Sequence, residues 1–225
     1  MTALVPTAVG AAAGWRTAQV VLRAWSVHVH DAGLVPERGP VILAANHTGF
    51  LDGPLLMGAS PRPIHCVVKK EMFWGPLGWF LRGIGQIPVD RSRMDRTALM
   101  KGLATLEAGR VLVLYPEGRR GLGNFADVRP GLAWFALRSG APVVPVVALG
   151  VGARGTAAWQ LPALRARLDV VFGPRIMLPP GWSRSAAALS AAGQKLQAAL
   201  AAHHAAVVKR YSAAGVFGTV ASELP

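Results

Sequence analysis

The chain has 225 residues, 52% of them hydrophobic and 16% charged, and its 24 Lys and Arg against 11 Asp and Glu give a formal charge of +13. That length suits one α/β domain with a sizeable core, and the lone cysteine, Cys66, excludes an internal disulfide and fits a reducing compartment. A basic surface of this size selects polyanions, and a mean hydropathy of +0.36 with seven tryptophans favours an anionic bilayer over nucleic acid.

Residues 1–15 are apolar and uncharged, but Arg16 and Arg23 interrupt the run before it reaches the roughly 20 residues of a spanning helix. The stretch also lacks the basic start of a secretory signal. Arg16 and Arg23, seven apart, share one helix face, while Val9, Ala13, Trp15 and Val20 supply others. Residues 1–25 are therefore expected to form an amphipathic helical segment lying in a membrane interface, with packing on the protein's own core as the alternative.

Apolar runs at 27–29, 41–45, 64–68, 87–89, 111–114, 143–149 and 168–172 read as strands. Helical patterns over 52–59, 94–108 and 131–139 alternate with them, the last two closed by Gly109 and Gly140. The alternation predicts a mostly parallel or mixed sheet covered by helices. An alanine-rich helix follows over 185–210 and a loose tail over 211–225. The expected organisation is α/β in a single domain: the interfacial segment 1–25, a catalytic domain 26–210 and the tail, with helices added at both ends.

The stretch NHTGFLD, residues 46–52, comes directly after the apolar VILAA. On a regular helix His47 and Asp52 would lie about 140° apart. They can meet only if His47 sits in a turn and Asp52 in the first turn of the next helix, a corner that Gly49 permits. An imidazole oriented by a carboxylate is suited to removing a proton at neutral pH.

Three further blocks follow in order: GQIPVDR at 85–91, YPEGRRG at 115–121 and APVVPVVALG at 141–150. Together with His47 and Asp52 they resemble the glycerolipid acyltransferase family, best known for its 1-acylglycerol-3-phosphate acyltransferases, over residues 27–150. The resemblance implies a catalytic pair in His47 and Asp52. It places substrate-binding roles on Lys69, Arg91, Glu117, Gly118 and Arg120, and brings Glu71, Arg119, Val128 and Arg129 into view. Arg119 stands where a threonine is usual, Gly49 and Gly121 replace serines, and Val128 replaces a phenylalanine. The two glycines are expected to widen the acceptor pocket.

The implied reaction moves a fatty acyl group from acyl-CoA or acyl-carrier protein to the hydroxyl of a lysophosphatidate, with arginine forks gripping the phosphate. Glycerol 3-phosphate, another lysophospholipid or a glycolipid are the alternative acceptors. Because the acceptor hydroxyl is the nucleophile, no enzyme serine is required, and the chain has no Gly-x-Ser-x-Gly elbow. No cofactor is expected beyond the acyl carrier, and no metal. His28 and His30 share a strand face but have no cluster of further ligands nearby in sequence. The expected partners are an anionic membrane surface, lysophosphatidate and the acyl carrier, with no nucleic acid, at the cytoplasmic side of the cell membrane.

Several residues have plainer readings. The arginines suit an ordinary charged surface, and Phe73, Trp74, Leu77, Trp79 and Phe80 suit either an acyl groove or core packing. Cys66 reads as a small buried hydrophobe and His203-His204 as a solvated helix face. The competing class is a non-catalytic basic protein that binds membranes or nucleic acid, without a recognisable nucleic-acid module. Arginines converging on His47 favour the enzyme, and a flat stripe away from it favours the binder.

Overall fold

The computed structural model describes residues 5–152, 160–179 and 185–215. Seven strands form one sheet: β1 (Ser26–His30), β2 (Val41–Ala45), β3 (Ile64–Lys69), β4 (Ile87–Val89), β5 (Val111–Leu114), β6 (Val143–Leu149) and β7 (Arg167–Phe172). Their order is β1-β7-β6-β2-β5-β3-β4, and every neighbouring pair is parallel except β6 with β7. The central β2 is buried along its whole length, as its unbroken VILAA run requires of a strand covered on both faces.

Helices form a layer on each face: α1 (Ala8–Val21), α2 (Asp52–Ala59) and α3 (Gly75–Gly83) on one side, α4 (Arg96–Glu107), α5 (Gly131–Ser139) and α6 (Ala186–Ala213) on the other. Alternation along β2 feeds both cores. Val41, Leu43 and Ala45 join Leu55, Leu56 and Ile84, while Ile42 and Ala44 join Leu103, Phe135, Leu196 and Leu200. The result is a three-layer α/β/α fold. No helix among the described residues is long and apolar enough to cross a membrane.

The N-terminal helix packs and faces outward at once. Its small face, Ala11, Gly14 and Ala18, is buried, and a Cβ at Gly14 would stand 2.8 Å from Ile84. Trp15 donates its indole N–H to Ser60 O at 2.8 Å, tying α1 to the end of α2. Val9, Val20 and Val21 remain exposed.

Two expectations near the C-terminus need correction. The last helix does not stop at 210: it runs to Ala213, and Tyr211, placed in the loose tail, is buried and packs edge-on to His30. Residues 216–225 of that tail lie outside the described residues. His203 and His204 are half-buried against the sheet and Phe125 rather than solvated, and burial lowers the pKa of both imidazoles. Their common cause is that α6 packs on α5 and β6 along much of its length.

Candidate active site

The residues singled out by the sequence gather at the carboxyl ends of β2, β3, β4 and β5, where parallel α/β sheets place their ligand sites. β2 delivers His47, and α2 begins at Asp52. The His47 Nδ1 lies 2.8 Å from Asp52 Oδ2, and the same oxygen accepts the backbone N–H groups of Thr48 at 2.7 Å and Gly49 at 2.8 Å. The turn thus wraps its own amides around a carboxylate that is 1% exposed. This bonding assigns the imidazole proton to Nδ1, which donates to Asp52, and leaves Nε2 as the basic nitrogen.

Neighbours that sequence spacing does not reveal hold the pair. Asn46 exchanges two hydrogen bonds with Ala148, its Nδ2 donating to the carbonyl at 3.0 Å and its Oδ1 accepting the amide at 2.8 Å, which locks the end of β2 to β6. Tyr115, just past β5, stacks on the His47 ring at 4.5 Å and 29°. Its hydroxyl is buried without a hydrogen-bond partner, and burial raises its pKa well above the ordinary value. The only sequence signal for Tyr115 was its place before Pro116.

The loop after β5 supplies the second wall. Gly118 has φ of +70°, a conformation that favours glycine, and a Cβ there would also displace the Arg129 side chain. Arg91, just beyond β4, donates from Nη1 to Gly118 O at 2.7 Å. Burial, then the nearby guanidinium of Arg129, depresses the Arg91 pKa, and Arg120 adds to the effect. Three arginines therefore share one electrostatic neighbourhood. Arg120 lies over the Phe50 ring at 5.7 Å, and its buried Nε–H has no partner.

Glu117 accepts the Phe125 N–H at 3.0 Å, and burial raises its pKa. That bond closes the loop that carries Gly118 and Arg120. The expected widening at Gly49 does not occur, because Val151 fills that space and a Cβ at Gly49 would meet it at 2.8 Å. At Gly121 the space is open.

One cavity of about 570 Å³ joins these parts. His47, Lys69, Arg91, Arg119 and Arg120 are among the residues that line it. The rest of its wall is mainly apolar and runs between α1, α2 and α3 over Ala18, Met57, Phe80 and Ile84. Cys66 lines it too, buried, with its thiol pushed up to about 12 by burial. Arg91, Arg119, Arg120 and Lys69 thus line the same cavity as His47. His28 and His30 lie apart at the β1 edge, paired with Ser26 and Asp169, and no group of three or more metal-ligating side chains occurs among the described residues.

Residues 26–149, more than half of the chain, match the family model described as Acyltransferase. The chain belongs to the acyltransferase family. Its similar relatives include the 1-acyl-sn-glycerol-3-phosphate acyltransferases of Streptococcus pneumoniae, 29% identical over 68% of this chain and 58% of that protein, and of Bacillus subtilis, 29% identical over 55% and 63%. The chain therefore spans about three fifths of the length of these relatives. The crystal structure of a 1-acyl-sn-glycerophosphate (LPA) acyltransferase from Thermotoga maritima superposes with a TM-score of 0.59 at 18% identity, covering 83% of this chain and 78% of that one, and so shares the fold.

Proposed function

We propose that this acyltransferase transfers a fatty acyl group from a thioester, acyl-CoA or acyl-carrier protein, to the free hydroxyl of a lysophosphatidate, giving phosphatidate for phospholipid synthesis. It acts as a peripheral protein on the cytoplasmic side of an anionic membrane. The observation that carries this reading is one cavity whose lining combines an Asp52-oriented His47, a cationic wall of Lys69, Arg91, Arg119 and Arg120, and a larger apolar wall. A phosphate fits the first wall and a hydrocarbon chain the second. The names of the relatives support the acceptor.

In the reaction His47 Nε2 takes the proton of the acceptor hydroxyl as its oxygen attacks the thioester carbonyl. Asp52, already bonded to Nδ1, stabilises the imidazolium that forms. Collapse of the tetrahedral intermediate forms the ester, breaks the carbon–sulfur bond and releases the thiolate, which regains the proton. Arg120, Arg91 and Lys69 hold the acceptor phosphate. No further cofactor enters this scheme.

A panel of acceptors offered with one acyl-CoA, followed by free-thiol release and by the mass of the product, tests the proposal. Lysophosphatidate is expected to outcompete glycerol 3-phosphate, which has no chain for the apolar wall, and lysophosphatidylcholine, whose choline sets a cation among arginines. Preferential acylation of a lipid without phosphate overturns the arginine roles. His47→Ala should lower turnover by about 10²–10⁴-fold or more, and Asp52→Asn should also be severe. Wild-type turnover in a folded His47→Ala protein overturns the mechanism.

A further inference from the structure

The third helix has the wrong surface for water. Its sequence GPLGWFLRG holds Leu77, Trp79, Phe80 and Leu81, yet Gly78 is its one buried residue. Trp74, the residue that caps it, is 86% exposed, Trp79 is 79% exposed and Phe80 is 51% exposed. Leu77 and Phe80, three apart, turn one side of the helix to the cavity, whereas Trp79 leaves from another side and does not line it. A helix apolar on several sides is stable when a low-polarity medium surrounds it. Clustered exposed aromatics of this kind mark an interaction site.

Charge and geometry select the medium. The stretch 69–83 carries Lys69, Lys70 and Arg82 against Glu71 alone, and the first thirty residues carry Arg16 and Arg23 with no acid. Lys70 is paired with Asp90, while Arg82 lies over the Phe73 ring and remains exposed. Tryptophan beside exposed cations suits the headgroup boundary of an anionic bilayer, where the ring is half buried and the charge meets phosphate. Half-exposed residues of two helices, Val21 on α1 and Leu77 and Phe80 on α3, also line the cavity, so its apolar side opens onto this corner.

We propose that the Trp74–Phe80 corner enters an anionic lipid bilayer and sets the apolar side of the cavity at the level of the lipid chains. An acceptor then passes from the leaflet into the site without crossing water. This deepens the proposed function and rests on it for the identity of the acceptor. The N-terminal helix is the second contact, contributing exposed Val20 and Val21, the latter lining the same cavity as Leu77 and Phe80, but its buried face is committed to α2 and to Ile84. Deleting it would open the cavity as well as the membrane face.

The test uses the full chain carrying Trp74→Ser and Trp79→Ser, two exposed positions outside the cavity wall. Vesicles of phosphatidylcholine with phosphatidylglycerol are sedimented with wild type and variant, and bromines on the lipid chains serve as quenchers of tryptophan emission. The variant is expected to lose about tenfold or more of its partition, together with most of the quenching. Its turnover on vesicle-borne lysophosphatidate should fall in step, while turnover on detergent-dispersed lysophosphatidate stays at the wild-type level. Equal partition and equal quenching for the two proteins overturn the proposal. So does a wild-type dimer that the substitutions dissociate, which would assign the corner to a second copy of the chain. If lysophosphatidate is not the acceptor, wild type is inactive in detergent while partition and quenching still report on the corner. A variant that loses its far-UV helix signal is replaced by Trp79→Ser alone, judged by the same two readouts.

Discussion

At the scale of single residues, two orphaned polar atoms beside His47 make opposite demands. Arg120 Nε–H is buried without a partner in a wall that also holds Arg91 and Lys69, so it needs an anion. Arg120→Ala should raise the acceptor KM by roughly 10–100-fold, as loss of a hydrogen bond to a charged group does, with little change in the donor KM. Arg120→Lys should fail to rescue it, because an ammonium cannot reproduce the fork. Equal shifts in both Michaelis constants count against a phosphate grip. The Tyr115 hydroxyl is also unpaired, but it packs against the apolar core with buried Cys66 and the Asp52 carboxylate as its electrostatic neighbours, and the ring already performs a task by stacking on His47. Tyr115→Phe keeps the stack and removes an unsatisfied group, so the denaturation midpoint should rise by the equivalent of about 1 kcal/mol with turnover nearly unchanged. A large loss of turnover in the folded variant would instead place that hydroxyl on the substrate.

The elements were largely legible from periodicity, and the features that were not come from contacts between distant parts of the chain. All seven strands and the helices at 52–59 and 131–139 follow from apolar runs bounded by turn residues. Helix α3 did not, since Gly75, Pro76, Gly78 and Gly83 make its nine residues read as a turn, and the extension of α6 past 210 accompanies the contact of Tyr211 with His30 on β1. In the site, the spacing of His47 and Asp52 required the corner that the structure contains. Asn46 holding Ala148, and Val151 filling the space beside Gly49, depend on where β6 ends and no local pattern reports them. The turn from β4 into α4 has its own electrostatics. Asp90 accepts from Lys70 Nζ at 2.7 Å and from Ser92, and these bonds hold its carboxyl well below the usual range. Asp95 caps α4 by accepting the Ala98 N–H and also takes the Asp90 amide, so the two aspartates fix the segment carrying Arg91. A carboxyl depressed in the folded state stabilises it above the unfolded pKa, about 3.9, and that contribution is lost as pH falls through the folded value. Asp90→Asn should therefore flatten the fall of stability below about pH 4, measured by urea denaturation across pH. An unchanged acid slope would show that Asp90 and Lys70 do not interact in solution.

On the scale of the whole molecule, the proposed attachment to an anionic bilayer would draw on two separate means, a formal charge of +13 and an exposed aromatic corner. Electrostatic attraction acts over a Debye length of about 10 Å at 0.1 M salt and about 3 Å at 1 M. In the proposed attachment it would bring the protein to an anionic leaflet without fixing its orientation. Apolar insertion is short-ranged and insensitive to screening, and in the proposed attachment it would hold the cavity against the lipid. One weak signal gives marginal, reversible attachment, and two together give stable attachment. Wild-type binding to anionic vesicles should thus fall as salt rises and level off above zero, the residue being the apolar part. Neutral phosphatidylcholine vesicles should show only that residue at any salt. In the Trp74→Ser, Trp79→Ser protein the plateau should disappear while the salt-dependent portion keeps its slope, since no charge was removed. A wild-type curve that drops to zero at high salt would mean that charge alone holds the protein. A variant with a shallower salt slope would mean that the two contributions are not separable, because losing the tryptophans would then also have moved the cationic rim of the cavity away from the lipid phosphates.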